Sequence, residues 1–243
     1  MFQDVIGDWP THERFILTSC DDKYFQDFFP RFYKTFTEHW KLPIHVHIID
    51  PKQDSKNKLD ALDVSYTYCT PDKSVLRFPY SYVTYCQAQR FILLGHKLLE
   101  GQSVIVSDVD AYAVRRPNED QKHFAQSDMA FTKYSDIMGN KAPRLMATFC
   151  NFHHGKRAYA KESAIKMQEL IENTDKIGVD QLVINEVFQT MAYNNLKHGE
   201  WIRHLDVKTK KDILEHNQCL IYHEKGCRGK GKGLQTQWTD IGL

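Results

Sequence analysis

Short β-prone runs alternate with segments of helical periodicity through the first half of this chain. The runs are "RFILTSC" (14–20), "LPIHVHIID" (42–50), "VSYTYC" (64–69) and "SVIVSDVDAYAV" (103–114), and the helical segments are 24–40 and 81–100. Strands that alternate with helices form parallel sheets with crossover connections. The pattern therefore predicts an α/β fold, with a mostly parallel twisted sheet flanked by helices.

The second half mixes the two patterns. It predicts strands at 128–134 and 145–152, helices at 158–173 and 179–195, and late short strands in "WIRHLD" and "CLIYHEKG". In the first half, the polar residues 52–60 predict a solvated loop. Ser81 is the predicted N-cap of the second helix. Pro30 predicts either a kink in the first helix or the start of another helix. No Pro-, Gly- or Ser-rich linker interrupts the chain. We therefore expect one domain over 1–243, with a Rossmann-like half at 1–115 and a mixed half at 116–243.

Bulk composition excludes several classes of protein. A formal net charge of +1 is not that of a dedicated nucleic-acid binder, which needs clustered cations. No apolar stretch approaches the roughly 20 residues of a membrane span, and the N-terminus lacks a signal-peptide pattern. The six cysteines are widely spaced, which predicts reduced thiols and a cytoplasmic protein. A zinc site at Cys219, His223 and Cys227 is disfavoured because nearby glycines oppose the helix that would align them.

Two carboxylates follow the apolar run at 104–106. Asp108 and Asp110 are two residues apart, so in an extended segment both side chains point the same way. Two like charges repel unless a cation lies between them, and hard oxygen ligands suit Mg²⁺ or Mn²⁺. The other interpretation is a strand end that leads into a solvated turn, where two acids are harmless.

Three further features carry charged or polar residues. Asp180 and Gln181 stand at a predicted helix start, where an acid also stabilises the helix dipole. His223 ends an apolar run and precedes a tail of interleaved glycine, lysine and arginine, a composition suited to binding a diphosphate. Arg90 lies in an apolar helix, where a cation needs an anion at the end of the sheet or a route along the surface to solvent.

In their order along the chain, these motifs resemble those of the GT-A nucleotide-sugar glycosyltransferases, nearest the glycogenin and lipopolysaccharide-galactosyltransferase family. The matching segments are "ILTSCDD", "YCQAQRF", "VIVSDVD", "DQLVIN" and "HEKGCRGK". The resemblance spans residues 14–232. It implies a single GT-A domain in which 1–115 binds the nucleotide and 116–243 completes the acceptor and metal sites. It also implies transfer of a sugar, with retention, from a nucleoside diphosphate sugar such as a UDP-sugar to an acceptor saccharide, lipid or protein.

The resemblance also implies a role for individual residues. Asp108, Asp110 and His223 would hold Mn²⁺ or Mg²⁺. Asp180 would accept hydrogen bonds from sugar hydroxyls, and Gln181 would lie near the anomeric carbon.

The remaining implied contacts are with the donor. They involve Thr18 and Asp21 with the nucleoside, Asn151 with the donor sugar, and Arg90, Gly226 and Lys230 with sugar or phosphate. Lys225 and Arg228 could add to the phosphate contacts. The chain departs from the family pattern at Leu182, where the family has a second acid, and at Lys230, which is displaced by one residue.

Two other functions fit parts of the pattern. A haloacid-dehalogenase-type phosphatase also has a strand-ending D-x-D that binds Mg²⁺, and it uses the first acid as nucleophile. Its motif stands near the start of the domain and has Thr or Val where this chain has Tyr112. A non-catalytic module that binds nucleotide sugars is the other alternative, and Leu182 favours it.

Overall fold

The computed structural model describes residues 4–74, 76–116, 129–133, 145–188, 194–195, 201–203, 221–223 and 238–241. The helices are α1 (Asp22–His39), α2 (Gln53–Asp60), α3 (Ser81–Lys97), α4 (Arg157–Asn173) and α5 (Val179–Phe188), with a 3-10 helix at Trp238–Ile241. The strands are β1 (Ile6–Gly7), β2 (Arg14–Asp21), β3 (Ile44–Ile49), β4 (Ser65–Cys69), β5 (Ser103–Ser107), β6 (Ala111–Ala113), β7 (Met129–Lys133), β8 (Leu145–Phe152), β9 (Asn194–Asn195), β10 (Trp201–Arg203) and β11 (Ile221–His223).

The chain has the predicted α/β fold, and its main sheet is mixed. Its order is β1-β4-β3-β2-β5-β8-β7-β9, in which β1 and β9 are two-residue strands at the edges. Strands β4, β3, β2 and β5 run parallel. Strand β8 is antiparallel to both of its neighbours, β5 and β7. The predicted parallel arrangement is therefore found in the strands β2–β5, and the antiparallel pairs around β8 make the sheet mixed.

Helices cover both faces of the parallel strands. Along β2, Phe15 and Leu17 enter a core with residues of α3, α4 and α5. Ile16 and Cys20 point the other way, into a core with the phenylalanines of α1 and with Leu59 of α2. Both faces of β2 are buried because helices pack on both sides of the sheet, which explains its nearly continuous apolar sequence.

Residues 53–60 form helix α2, so the prediction of a loop at 52–60 was wrong. The segment is polar, but Ser55 and Leu59 are buried on one side of the helix. Asp22 fixes this helix against α1, since its carboxylate accepts hydrogen bonds from Ser55 Oγ at 2.6 Å and Lys52 N at 2.8 Å. Two buried positions in eight residues are too few for a periodicity argument to detect.

Helix α1 continues through Pro30, so no second helix starts there. A proline lacks the N–H that would bond to the carbonyl four residues earlier. That carbonyl belongs to Gln26, and it accepts a hydrogen bond from Trp238 Nε1 at 3.2 Å instead. The 3-10 helix near the C-terminus thus satisfies a group that proline leaves unpaired in α1.

Two predicted helix boundaries differ from the structure. Helix α3 has Tyr80 rather than Ser81 at its N-cap, and Ser81 Oγ accepts a hydrogen bond from Phe78 N. Helix α5 ends at Phe188, whereas the prediction extended to residue 195, and Asn194–Asn195 form strand β9. None of the helices in the described part of the chain combines enough length with enough apolar character to cross a lipid bilayer.

Candidate active site

The D-x-D pair lies in a turn and not within one continuous strand. The predicted strand at 103–114 is divided into β5, which belongs to the main sheet, and β6, which pairs with β11 in a second sheet. Asp108 N donates to Thr148 O at 2.8 Å, and Asp108 O accepts from Ala111 N at 3.2 Å. These hydrogen bonds fix the backbone of the turn between the two sheets.

This turn lies where the order of strands in the sheet reverses, so that the next strand is added on the other side of β2. From β2 the chain proceeds to β3 and β4 on one side, and β5 then pairs with β2 on the other. Ligands of open α/β sheets bind in the crevice at such a switch point, beyond the carboxyl ends of the strands. We call these carboxyl ends of β2–β5 the rim. Asp21 ends β2 and Asp108 follows β5, so both lie at the rim.

Asp21 also begins helix α1. Its carboxylate accepts a hydrogen bond from Tyr24 N at 2.8 Å, which makes it the N-cap of that helix. This capping bond gives Asp21 a structural role. Its predicted contact with a nucleoside stays a prediction.

Arg90 joins two of the predicted site residues. Its Nη2 lies 2.6 Å from Asp108 Oδ1 and 3.0 Å from Asp180 Oδ2. The guanidinium also donates to the carbonyl oxygens of Gln87 and Ala147, at 2.6 and 3.2 Å. We call Arg90 and its two carboxylates the Arg90 bridge. The D-x-D sequence raised the question of which cation offsets the charge of its carboxylates. For Asp108 that cation is the guanidinium of Arg90.

The charge of Arg90 is held inside the protein. Its side chain is only 4% exposed, so it is not a cation that reaches solvent along the surface of the helix. Burial opposes the charged form, yet Asp108 and Asp180 together raise the pKa of Arg90 above its ordinary value. Of the two alternatives that the sequence left open for Arg90, the structure shows pairing with anions, which come from the β5–β6 turn and α5. Its predicted contact with the donor stays a prediction.

Asp180 and Gln181 occupy the first turn of α5. Asp180 is buried, and Gln181 Oε1 accepts a hydrogen bond from Ala147 N at 3.0 Å. Gln181 Nε2 is buried and has no hydrogen-bond acceptor among the residues that the structure describes. Leu182 is 46% exposed and points away from these groups. The two polar residues therefore line the inner side of α5, while the position of the missing acid faces solvent.

Thr18 and Asn151 lie inside the main sheet. Thr18 on β2 is paired with Val46 and Ser107, and Asn151 on β8 is paired with Ile105. Both are fully buried, and within the described residues Thr18 Oγ1 has no hydrogen-bond partner. Their predicted donor contacts stay predictions.

His223 comes close to the D-x-D turn through strand pairing. In the antiparallel β6–β11 ladder its backbone lies opposite Ala111, the residue that follows Asp110. The strand at Ile221–His223 also rules out a helix that would align His223 with Cys219 and Cys227. Gly226 and Lys230, together with Lys225 and Arg228, fall outside the described residues.

The residues at this turn have the chemistry of a divalent-cation site. Asp108 and Asp110 would supply hard oxygen ligands from one turn, and the backbone of His223 is adjacent, so these residue types fit Mg²⁺ or Mn²⁺. Among the described side chains there is no group of three or more histidine, cysteine or acidic residues placed to hold a metal. Of the proposed ligand side chains, the structure describes only those of Asp108 and Asp110.

No protein-family model matches this sequence, and no curated protein is significantly similar to it. A function therefore has to be argued from the chemistry of the rim and from the order of the motifs. The Arg90 bridge, the D-x-D turn and the register of His223 are the structural observations on which that argument depends.

Asp110 lies between two environments. It lines a shallow surface cleft together with Asp27, Arg31 and Tyr112, and the Arg31 guanidinium lies 4.9 Å from the centre of the Tyr112 ring. Its charge also contributes to raising the pKa of Arg90 and of the buried thiol of Cys20, although burial is the main cause at Cys20. Asp110 is thus near both the rim and the surface beside α1.

A buried row of hydrogen-bonding side chains also ends near the rim, and sequence reasoning did not predict it. His45 lies within hydrogen-bonding distance of Ser65 Oγ (2.9 Å) and Thr67 Oγ1 (3.0 Å). His47 contacts Thr67 Oγ1 (2.9 Å) and Cys69 Sγ (3.3 Å), and Cys69 Sγ lies 3.3 Å from Tyr85 Oη. We call these six residues the histidine chain.

The histidine chain carries no charge at neutral pH. Burial lowers the pKa of both His45 and His47 to about 3, and it raises the pKa of Cys69 to about 11. Both imidazoles are packed inside the protein, since His45 and His47 are fully buried. The alternation H-x-H opposite S-x-T-x-C in the next strand was the signal that could have revealed the row.

Proposed function

We propose that this chain is a metal-dependent glycosyltransferase of the GT-A type. It would move a sugar, with retention, from a nucleoside diphosphate sugar such as a UDP-sugar to an acceptor saccharide, lipid or protein. The observation that carries the proposal is the Arg90 bridge at the switch point, where it joins the D-x-D turn to the start of α5. The order of motifs along the chain supports it.

The D-x-D turn is the proposed cation site. Asp108, Asp110 and His223 would hold Mn²⁺ or Mg²⁺, and the turn and the β6–β11 ladder keep their backbones adjacent. When bound, the cation would offset the negative charge that develops on the leaving diphosphate. Gly226 and Lys230 would contact the same diphosphate through a backbone amide and a positive charge.

The start of α5 is the proposed sugar site. Asp180 would accept hydrogen bonds from sugar hydroxyls while Arg90 holds its carboxylate in place. Gln181, which is fixed through its Oε1 to β8, would present its amide nitrogen toward the anomeric carbon. Asn151 would contact the sugar, and Thr18 and Asp21 would contact the nucleoside.

The phosphatase alternative is less compatible with the Arg90 bridge. In that mechanism Asp108 would be the nucleophile, but its Oδ1 is engaged by a buried guanidinium at 2.6 Å. A strong ion pair lowers the nucleophilicity of a carboxylate because it stabilises the negative charge. The D-x-D motif also follows β5, which is the last of the four parallel strands β2–β5 in the order of the sequence. In the phosphatases the motif stands near the start of the domain.

Thermal-shift measurements with a panel of nucleotide sugars, with and without Mn²⁺, test the proposal. A ligand that binds only the folded state stabilises it by about 2.7 kcal/mol at a hundredfold excess over Kd. We expect one donor to raise Tm only when Mn²⁺ is present. A donor whose affinity is unchanged by EDTA would contradict a metal-bridged site.

Variants of the turn locate the effect. Asp110→Ala and His223→Ala should each abolish most of the Mn²⁺-dependent shift, and the double variant should lose much less than the sum. Asp27→Ala is the matched control, because Asp27 lines the same cleft but is bound to Lys23. Hydrolysis of the bound donor without an acceptor would separate an enzyme from a non-catalytic binding module.

A further inference from the structure

The carboxylate that is proposed to hold a divalent cation is already paired with a cation of the protein. Arg90 Nη2 lies 2.6 Å from Asp108 Oδ1, and the arginine side chain is 4% exposed. An arginine keeps its proton at any pH at which the protein is folded. The bridge therefore cannot lose its positive charge in order to admit a second cation.

A divalent cation at Asp108 would lie within a few ångströms of this guanidinium. Charges repel more strongly in a buried site than in water because the local dielectric constant is lower. Arg90 and a bare cation therefore compete for the same carboxylate. A diphosphate changes this balance, because its oxygens bring negative charge that both cations can share.

Asp180 explains how the competition could be resolved without leaving a buried charge unpaired. It holds the same Nη2 atom of Arg90 at 3.0 Å, on the side of α5. If Asp108 turns toward a bound cation, Arg90 still has Asp180 as its counter-ion. The cost of an isolated buried charge is thereby avoided.

From these contacts we infer that Arg90 makes cation binding at the D-x-D turn conditional on a bound diphosphate. The inference rests on the proposed function, since it assigns Asp108 to a cation site. Free Mn²⁺ should bind weakly to the wild-type protein, and UDP should strengthen Mn²⁺ binding. Arg90 is in this respect a positioning residue that acts through Asp108, and it determines the order in which the site is filled.

Mn²⁺ titrations followed by electron paramagnetic resonance, with and without UDP, test the inference. In Arg90→Gln the competing charge is gone, so free Mn²⁺ should bind roughly tenfold more tightly than in the wild type, or about 1.4 kcal/mol. The enhancement by UDP should shrink in the same variant. A variant that merely damaged the site would bind Mn²⁺ more weakly, so the direction of the change is informative.

Two further variants keep the test valid if Arg90→Gln does not fold. Arg90→Lys keeps a positive charge at this position, so free Mn²⁺ should bind as weakly as to the wild type. Asp180→Asn removes the second anchor of Arg90, so free Mn²⁺ should bind no more tightly and UDP should enhance binding less. Tighter binding of free Mn²⁺ in either variant would overturn the inference.

The outcomes separate this inference from the proposed function. If the wild-type protein bound neither Mn²⁺ in the presence of UDP nor UDP in the presence of Mn²⁺, the glycosyltransferase proposal itself would be contradicted. A wild-type protein that binds both together, but whose Arg90→Gln variant shows unchanged or weaker affinity for free Mn²⁺, would contradict only the role of Arg90.

Discussion

The histidine chain and the Arg90 bridge are both buried polar regions in contact with α3, but they satisfy their polar groups differently. In the chain, neutral groups on β3 and β4 bond to one another, and burial keeps both imidazoles uncharged. In the bridge, three charges are retained, and the arginine is paired with two carboxylates. Replacement of a whole buried ion pair by apolar residues can be nearly neutral, whereas removal of one partner is costly because a buried charge loses its counter-ion.

The largest effect should come from breaking the bridge. Arg90→Gln removes the buried cation that lies between Asp108 and Asp180, and we expect the free energy of unfolding to fall by about 3–5 kcal/mol. Chemical denaturation measures this change. Lys166→Gln is the matched control, since Lys166 also lies between two carboxylates, those of Glu162 and Glu186, but on an exposed surface.

The control should change stability very little, because exposed ion pairs are screened by solvent. If both variants lost the same amount, the distinction between the buried bridge and a surface ion pair would be wrong.

Acid should act on the histidine chain. The pKa of each imidazole is about 3 in the folded protein and ordinarily 6.5, so the unfolded chain binds more protons between these values. Stability is therefore full above pH 6.5 and is lost as pH falls. At pH 5 the loss should be about 2 kcal/mol for each histidine, by linkage.

Denaturation series between pH 7 and pH 5 check this expectation, in a range where most carboxylates are still ionised. A double variant, His45→Gln with His47→Gln, should show a much flatter dependence on pH. Constant wild-type stability across this range would show that the two imidazoles are not held neutral.

The smallest of the three effects should come from removing one hydroxyl. Thr67→Val leaves a nitrogen of His45 and a nitrogen of His47 without a partner, and we expect a loss of about 2 kcal/mol. Thr67→Ser keeps the hydroxyl and is the control. Equal losses in the two variants would assign the effect to the methyl group of Thr67 and not to its hydrogen bonds.

The sequence was sufficient where a physical requirement could be stated for one residue. An arginine in an apolar helix needs an anion, and Arg90 has two. The identity of Asp180 as one of them could not be predicted, because the contact joins positions 90 residues apart. Long-range pairs of this kind depend on how helices pack on the sheet.

Local pattern failed where one polar contact determined the structure. The hydrogen bond from Ser55 to Asp22 holds helix α2 against α1, and no periodicity indicates this contact. The prediction of one strand at 103–114 failed for a related reason, since the backbone N–H of Asp108 donates a hydrogen bond to the carbonyl oxygen of Thr148 on β8. In both cases the deciding partner lies far away in the chain.

Thr67 has one consequence for the two histidines that it contacts. Its hydroxyl has a single hydrogen, and a neutral imidazole has one N–H and one lone pair. If Thr67 donates to Nε2 of His45, it must accept from Nδ1 of His47, and both rings then carry their hydrogen on Nδ1. If it donates to His47, both carry it on Nε2. The two rings therefore share one tautomeric state, so a change of tautomer in one ring requires the same change in the other.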